Sequence, residues 1–451
     1  MSKFRFSVCL AVLVHITTIS AQKNANSPYT RYGMGELVDQ NVAAVRSMAG
    51  ISTAFVDPYH SSFVNPASLA FLTGTSYEVG LYAKNSSISD GTNKSSSFVG
   101  SLDYLSIAFP LHNSINDAYE NVKRKYRLAM GFKLAKFSNV GYDITTVESH
   151  PEFGGYTRSY DGNGGSYSIQ WSNAVLHKNF ALGVNLGYLF GKTSYNRFIT
   201  FDSLDYAFDN VYFNSNHISG FIYNVGMLYS IPLSNKEANA PKKAERRLTF
   251  GLRGKSATPF STTNDRLGLA TQNIGATTIS IDTIFNDTLS GKGQLPLDLG
   301  FGITFTNGDK SSYGIDVSFA NWSSYYNDGN GDLPATLRDA MTFSFGGSFR
   351  PDYKAFNFWK RATYRYGVYY RQDPRLVKGD EANEVNVGVN EYAITAGVGL
   401  PFVFQRKVSH VNIGLEVGNR GVGTIIKENF FKINIGATFN DDEWFIKRKY
   451  D

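Results

Sequence analysis

From Thr75 onward the dominant pattern in the chain is an alternation of apolar and polar or small residues with a period of two. The stretch "FALGVNLGYLFG" sets Phe180, Leu182, Val184, Leu186, Tyr188 and Phe190 on one face, with Ala181, Gly183, Asn185 and Gly187 on the other. "LPLDLGFGITFT" repeats the arrangement, with Leu295, Leu297, Leu299, Phe301, Ile303 and Phe305 against Asp298, Gly300, Gly302 and Thr304. "YGIDVSF", "YAITAGVGL", "VNIGLEVG" and "FKINIGATF" do the same. Each reads as a strand with one apolar face and one polar or small face. A soluble sandwich and a membrane barrel both alternate, so strand length and face chemistry decide between them. The runs extend for about ten residues, the length of a tilted membrane-crossing strand, where globular sheets average about five or six. The polar face also carries full charges in mid-strand: Arg127, Lys133, Arg253, Asp298, Asp316, Arg365, Glu416 and Lys432. A barrel lumen accepts such groups, whereas the lipid side penalises them by several kcal/mol near the midplane. Only a closed barrel satisfies strand backbones in hydrocarbon.

The expected fold is therefore all-β, a transmembrane antiparallel barrel. Fourteen runs are legible, near 75–85, 97–110, 126–149, 165–176, 180–200, 211–232, 247–262, 295–306, 311–323, 338–349, 361–373, 388–401, 408–420 and 429–439. An even count suits a single-chain bacterial barrel. With the N-terminus in the periplasm, the turns 177–179 and 307–310 fall on the short-turn side. The polar links 263–294, 324–337 and 374–387 fall outside. Links 111–125, 233–246 and 350–360 are long for periplasmic turns, and the first has room for a short helix.

Composition agrees with the pattern. The 28 tyrosines, 34 phenylalanines and 43 glycines fit aromatic, glycine-rich β-structure. No mature segment approaches the roughly 18 apolar residues of a spanning helix. Residues 1–21 read as a signal peptide, with Lys3 and Arg5 before an apolar core and cleavage expected after Ala21. Cys9, the one cysteine, lies inside that signal, which leaves no disulfide, cysteine metal site or thiol chemistry in the mature chain. Without Lys3 and Arg5, 42 basic residues face 38 acidic ones, a balance too mild and scattered for nucleic acid.

Residues 22–72 lack strand periodicity and are too long for a simple tail. Within them, "RSMAGISTAFVDPYHSSFVNPASLAFL" resembles the N-terminal region of the FadL-type family of outer-membrane barrels, the long-chain fatty-acid transporters. Arg46, Met48, Gly50, Asp57, Asn65, Pro66, Ala67, Leu69 and Ala70 match, and Ala49 replaces a glycine. The resemblance implies that 22–72 folds into the lumen as a hatch, that the Asn-Pro-Ala turn joins it to the first strand, and that 73–440 forms the barrel. The residues themselves agree: Pro66 cannot donate to a ladder and disfavours helix at Asn65. An Asn-Pro pair alone is also common in ordinary turns. "NSPYTRYGMGEL" and the C-terminal stretch from Gly414 are similar to members of that family from Bacteroidetes-type bacteria. One departure concerns the end: many such barrels finish on a terminal aromatic, whereas here a periplasmic tail, 441–451, follows the last strand. Either assembly reads an internal signal, or Trp444 and Phe445 dock on something periplasmic.

Site chemistry is sparse. His60, His112, His150, His177, His217 and His410 show no metal-ligand spacing, and no cofactor or metal is expected. His217 and Ser219 share a strand face, as in an outer-membrane phospholipase, but any residues two apart do so. An enzyme is the remote alternative, because a triad is established by geometry. The glycine-rich stretches 291–300 and 418–423 open no helix and so cradle no phosphate. The basic run 242–247 reads as a solvated turn or, second, a docking patch. Asp-Ser/Thr-apolar triplets at 202–204, 282–284 and 287–289 resemble a Bacteroidetes O-glycosylation signal. Trp322–Tyr326 offers either a greasy landing site or part of an interfacial girdle.

The resemblance implies an outer-membrane channel taking up hydrophobic or amphipathic, fatty-acid-like molecules, with outer-membrane lipid around it. The alternative is a plugged accessory barrel of an outer-membrane assembly or secretion machine. A gap in the wall near the hatch would mark a lateral exit for a transported compound.

Overall fold

A computed structural model describes residues 27–441 apart from 113–115, 118–120, 123, 153, 202–206, 234–245, 275–276, 331–336, 379–385 and 405–406. The proposed signal, the tail, Trp444 and Phe445, the 202–204 triplet and most of the basic run at 242–247 lie outside the described residues. Fourteen antiparallel strands make the wall: β1 (Thr75–Ser89), β2 (Lys94–Pro110), β3 (Arg127–His150), β4 (Gly154–His177), β5 (Phe180–Phe201) and β6 (Asp209–Pro232). β7 follows in two segments (Arg246–Lys255 and Thr258–Ile274), as does β8 (Thr277–Leu295 and Asp298–Asn307). Then come β9 (Ser311–Ala320), β10 (Ala340–Phe349), β11 (Thr363–Lys378), β12 (Asn386–Phe404), β13 (Lys407–Arg420) and β14 (Lys427–Asp441). Each strand pairs with the next, and β14 closes on β1 from Thr75↔Asp441 to Ser89↔Lys427, so the barrel has no outer edge.

The period of two becomes two surfaces. On β6, Phe221, Val225, Met227 and Tyr229 point outward and are exposed, while Ile222, Leu228 and Ser230 between them are buried. Phe343 and Phe345 on β10, Ile394 on β12 and Val417 on β13 continue the exposed apolar belt. A belt of this kind is stable only against hydrocarbon, and the protein is an outer-membrane barrel.

The wall is lopsided. β9 and β10 have 10 residues each, enough to cross the apolar layer, whereas β3, β4 and β6 have 24 and rise well beyond it. This corrects two expectations. β4 begins at Gly154 rather than near 165, and 263–294 is no polar link but the paired tops of β7 and β8, from Ile274↔Thr277 downward. Above the lipid the outer face needs no apolar row, so the apolar alternation that reveals a strand fades although the ladder continues.

Residues 27–72 lie inside the barrel, as a chain of short elements. These are 3₁₀ turns at Pro28–Arg31 and Pro66–Phe71, a two-residue strand at Glu36–Leu37, and a helical turn at Ala43–Arg46. Gly33, Gly35 and Gly50 adopt positive φ between them, which breaks any longer helix. At one mouth Phe63, Leu69 and Leu72 pack on Ala129, Ala174, Ala181 and Leu228 of the wall.

Candidate functional site

The inner segment sits against the wall at near backbone contact. A methyl placed on Gly251 of β7 would stand 2.0 Å from the Thr53 carbonyl oxygen, and one on Gly346 of β10 would stand 3.0 Å from that of Met48. Gly183 and Gly302 meet the backbone of Ala67 and Ala54 in the same way, and Gly226 and Gly397 lie against the side chains of Asn65 and Ser47. Residues 47–67 therefore run around the inner circumference on a collar of lumen-facing glycines. No bulkier residue permits this approach at these positions.

Polar clamps fix what the collar admits. Asp316 on β9 accepts the Ser52 N–H at 3.0 Å, the Thr53 N–H at 2.7 Å and the Thr53 hydroxyl at 3.0 Å. Asn65 donates to the carbonyls of Thr53, Met227 and Leu252 at 2.6, 3.2 and 3.3 Å, and its Oδ1 caps the 3₁₀ turn by accepting from Ala67. The Asn-Pro-Ala turn is thus a fastener as well as a corner: Asn65 ties the inner segment to β6 and β7, and Pro66 starts a turn in which its missing N–H costs nothing. Asn65→Ala is expected to lower barrel stability by about 1–3 kcal/mol, since buried carbonyls lose their donor. Urea unfolding in detergent, followed by heat-modifiable gel mobility, checks it.

Charges complete the seating. Arg46, buried, pairs with Asp103 of β2 and donates to Asn434 at 3.2 Å. Arg420 of β13 meets Glu391 at 2.5 Å and Glu36 of the inner segment at 2.8 Å, while Lys84 meets Glu428 at 2.8 Å and Glu36 at 3.3 Å. Burial raises the Glu36 carboxyl, but Lys84 and Arg420 outweigh it and hold the group well below the usual carboxylate range. Burial likewise raises Asp57, and the His60 ring together with the Tyr59 N–H more than reverses it.

The wall has one interruption beside this segment. β2 pairs with β3 only from Tyr104↔Ala135 to Pro110↔Ala129, although β3 continues to His150 along β4. A bulge on β2 turns Asp103 and Tyr104 both inward, toward Arg46 and Glu78, and the ladder stops there. The inner segment takes up the freed β3 edge. Ser27 donates to Gly141 at 2.9 Å, Val38 to Phe137 at 3.0 Å and Gln40 to Lys136 at 2.8 Å, while Glu36 and Leu37 pair with Asn139 and Ser138. The Lys136 ammonium reaches across to Ser101.

Two cavities remain inside. One of about 70 Å³ is lined in large part by charged groups, among them Glu36, Arg46, Lys84, Glu391 and Arg420; another of about 100 Å³ mixes Lys133, Arg253 and Asp298 with Phe63, Phe137 and Ile222. The smaller holds roughly half a dozen waters. Above them Trp322 and Tyr325 fold inward onto Phe260, Leu295, Leu337 and Met34. The two rings are buried, which corrects the reading of Trp322–Tyr326 as a landing surface; of its three aromatic rings Tyr326 alone is exposed.

Of the eight charges singled out on the strands, Lys133, Asp316, Arg365 and Glu416 are buried. Arg127 donates to the Leu72 carbonyl at 2.9 Å and Lys133 to that of Gln40 at 2.5 Å. Arg253 pairs with Asp298 at 2.8 Å, and Arg365 binds Asn412 at 2.8 Å. Glu416 accepts from Tyr369 at 2.5 Å and stands 3.9 Å from Lys432. Met48 packs with Val45 and Phe55, and Gly50 takes φ +78° beside Asn41. His217 and Ser219 share the outward face of β6, and the nearest acid to His217 is Asp265 at 3.8 Å, beyond hydrogen-bond reach; no triad geometry forms. Among the described residues no His/Cys/Asp/Glu group suited to a metal occurs. Sequence reasoning missed the collar and the clamp partners Asp103, Glu391, Arg420 and Glu428. The signal for the collar was present as a small residue on the polar face of nearly every strand.

Comparisons with known proteins bear on fold and family separately. The toluene transporter TbuX of Ralstonia pickettii shares 14% identity at a TM-score of 0.53, covering 89% of this chain and 98% of its own. A Pseudomonas aeruginosa FadL homologue gives 13% and 0.51 over 90% and 99%. The monoaromatic hydrocarbon channel CymD gives 14% and 0.50 over 91% and 99%. At these identities the likeness is one of fold, the FadL-type barrel. No curated protein matches the sequence. The sequence profile of the BamG family matches residues 1–451, the whole length. This plugged, glycine-collared FadL-type barrel belongs to the BamG family.

Proposed function

We propose that the chain is an accessory barrel of an outer-membrane protein assembly, with residues 22–72 as a hatch that stays seated, and that it works as a scaffold rather than a conduit. The observation that carries this reading is the interior. It is occupied by a collared segment held by buried ion pairs, its cavities carry charged groups, and an aromatic cluster covers them. Opening a path for an acyl chain or arene through this interior would strand Glu36, Arg46 and Asp316 away from their partners at several kcal/mol each. Full-length membership of the BamG family, beside only fold-level likeness to hydrocarbon channels, supports the same reading.

A second reading is uptake of hydrophobic compounds, the role named for the neighbours TbuX and CymD. The broken β2–β3 ladder favours it, since a wall opening beside a hatch is what a lateral exit requires. Extraction of the tagged protein from its native membrane in mild detergent, with mass spectrometry of everything retained, separates the two. Stoichiometric outer-membrane protein partners are expected. A solitary barrel carrying a fatty acid or arene would overturn the scaffold reading in favour of transport.

A further inference from the structure

The turn joining β10 to β11, residues 350–362, lies at the short-turn end of the barrel, the periplasmic end in outer-membrane barrels. It is well ordered. Asp352 donates to the Lys360 carbonyl at 2.9 Å, Asn357 caps Trp359 at 3.0 Å, and Arg350 donates to the Lys310 carbonyl at 2.8 Å and to Thr363 at 2.9 Å. Yet this fixed turn holds four aromatic rings in the open: Phe356 is 106% exposed, Trp359 61%, Tyr353 51% and Phe358 40%. Exposed rings on a rigid support mark a contact surface.

Position and charge indicate the partner. The Tyr364 hydroxyl donates to the Trp359 carbonyl at 3.1 Å, and Tyr364 begins the outward row Tyr364, Tyr366, Val368 on β11. The turn therefore continues the lipid-facing side of the wall past the strand ends, at headgroup level. Lys310, Arg350, Lys354, Lys360 and Arg361 lie in or beside the turn in sequence, against Asp309 and Asp352, and the Lys354 ammonium stands 5.4 Å from the Tyr353 ring centre. Asp352 is already engaged by the Lys354 N–H at 3.0 Å. Aromatic rings flanked by an excess of cations fit the boundary between acyl chains and anionic headgroups.

We infer that residues 350–362 form a binding site for anionic phospholipid of the periplasmic leaflet, with Phe356 and Trp359 entering the acyl boundary and Lys354, Lys360 and Arg361 meeting the phosphates. Each cation near the surface favours anionic lipid on the order of fivefold. The full chain carrying Trp171→Phe, Trp322→Phe and Trp444→Phe reports from Trp359 alone. In nanodiscs of acyl-brominated phosphatidylglycerol its fluorescence is expected to be quenched more strongly than in brominated phosphatidylcholine. The difference is expected to vanish in Lys354→Gln/Lys360→Gln, which alters exposed side chains and leaves heat-modifiable mobility unchanged. Equal quenching in both lipids would overturn the site and leave an ordinary aromatic girdle. Absent lipid quenching with strong iodide quenching would overturn it too, and would assign the turn to a periplasmic protein partner.

Discussion

Gly251→Val is expected to unseat the inner segment. Its first side-chain carbon arrives 2.0 Å from the Thr53 carbonyl oxygen, and that oxygen belongs to backbone held two strands along the wall by Asp316. No rotamer relieves a backbone clash, so either the segment retreats and the Asp316 clamp and Asn65 bond to Thr53 break, or the β7 wall bows outward. Overpacking costs about 1–3 kcal/mol, and the broken hydrogen bonds of buried groups add about 1–3 kcal/mol each. Limited proteolysis in detergent is expected to cut the variant between residues 47 and 67 under conditions that leave the parent intact. Gly100→Ala serves as control. Its added methyl would find its nearest neighbour, the Tyr82 carbonyl oxygen, at an ordinary 3.6 Å. A Gly251→Val barrel as resistant as the parent would show that the collar carries no seating role.

Arg420→Met is expected to lower the unfolding free energy by about 3–5 kcal/mol, the usual cost of removing one partner from a buried ion pair. Arg420 faces Glu391, Glu36 and Glu428, and two of these acids, Glu391 and Glu428, are 1% and 0% exposed. Without it, Lys84 is the remaining cation beside Glu36 and Glu428 among the described residues, while Glu391 keeps Arg371 at 3.4 Å and the Tyr369 hydroxyl at 2.6 Å. Because Glu36 comes from the inner segment, the same change loosens that segment beside the β3 edge. Urea unfolding in detergent measures the loss, and Arg420→Met/Glu391→Gln is expected to recover part of it. A fall under 1 kcal/mol would mean that water already screens the network.

The sequence made the barrel legible because lipid enforces strict alternation: wherever Phe180 to Phe190 or Leu299 to Phe305 face hydrocarbon, the strand declares itself. It hid the tall half of the wall, since Gly154 to Ser166 and Asp265 to Ser290 rise beyond the lipid and need no outward apolar row. The fourteen-strand count was readable; the split of β7 and β8 around Ala257 and Pro296 was not, because a short break interrupts neither face pattern. At the site, strand parity singled out the mid-strand charges, but their partners were not legible. Asp316 meets Ser52 and Thr53 more than 260 positions away, and no local pattern encodes that pairing. Asn65 and Pro66 stood out through family resemblance, which suggested a joint but not the three carbonyls that Asn65 ties together. The broken ladder rests on a bulge at Asp103–Tyr104, and "LDYLS" reads as unbroken strand.

The central claim, that the hatch stays seated, is tested most directly by hydrogen exchange of residues 47–67 in the full-length protein in nanodiscs, with and without added oleate or toluene. The Ser52 and Thr53 amides, bound to Asp316, are expected to exchange as slowly as mid-strand amides of β9, with no change on adding either compound. Faster exchange of these two amides, increasing with the hydrophobic compound, would contradict the account and identify a hatch that opens for transport.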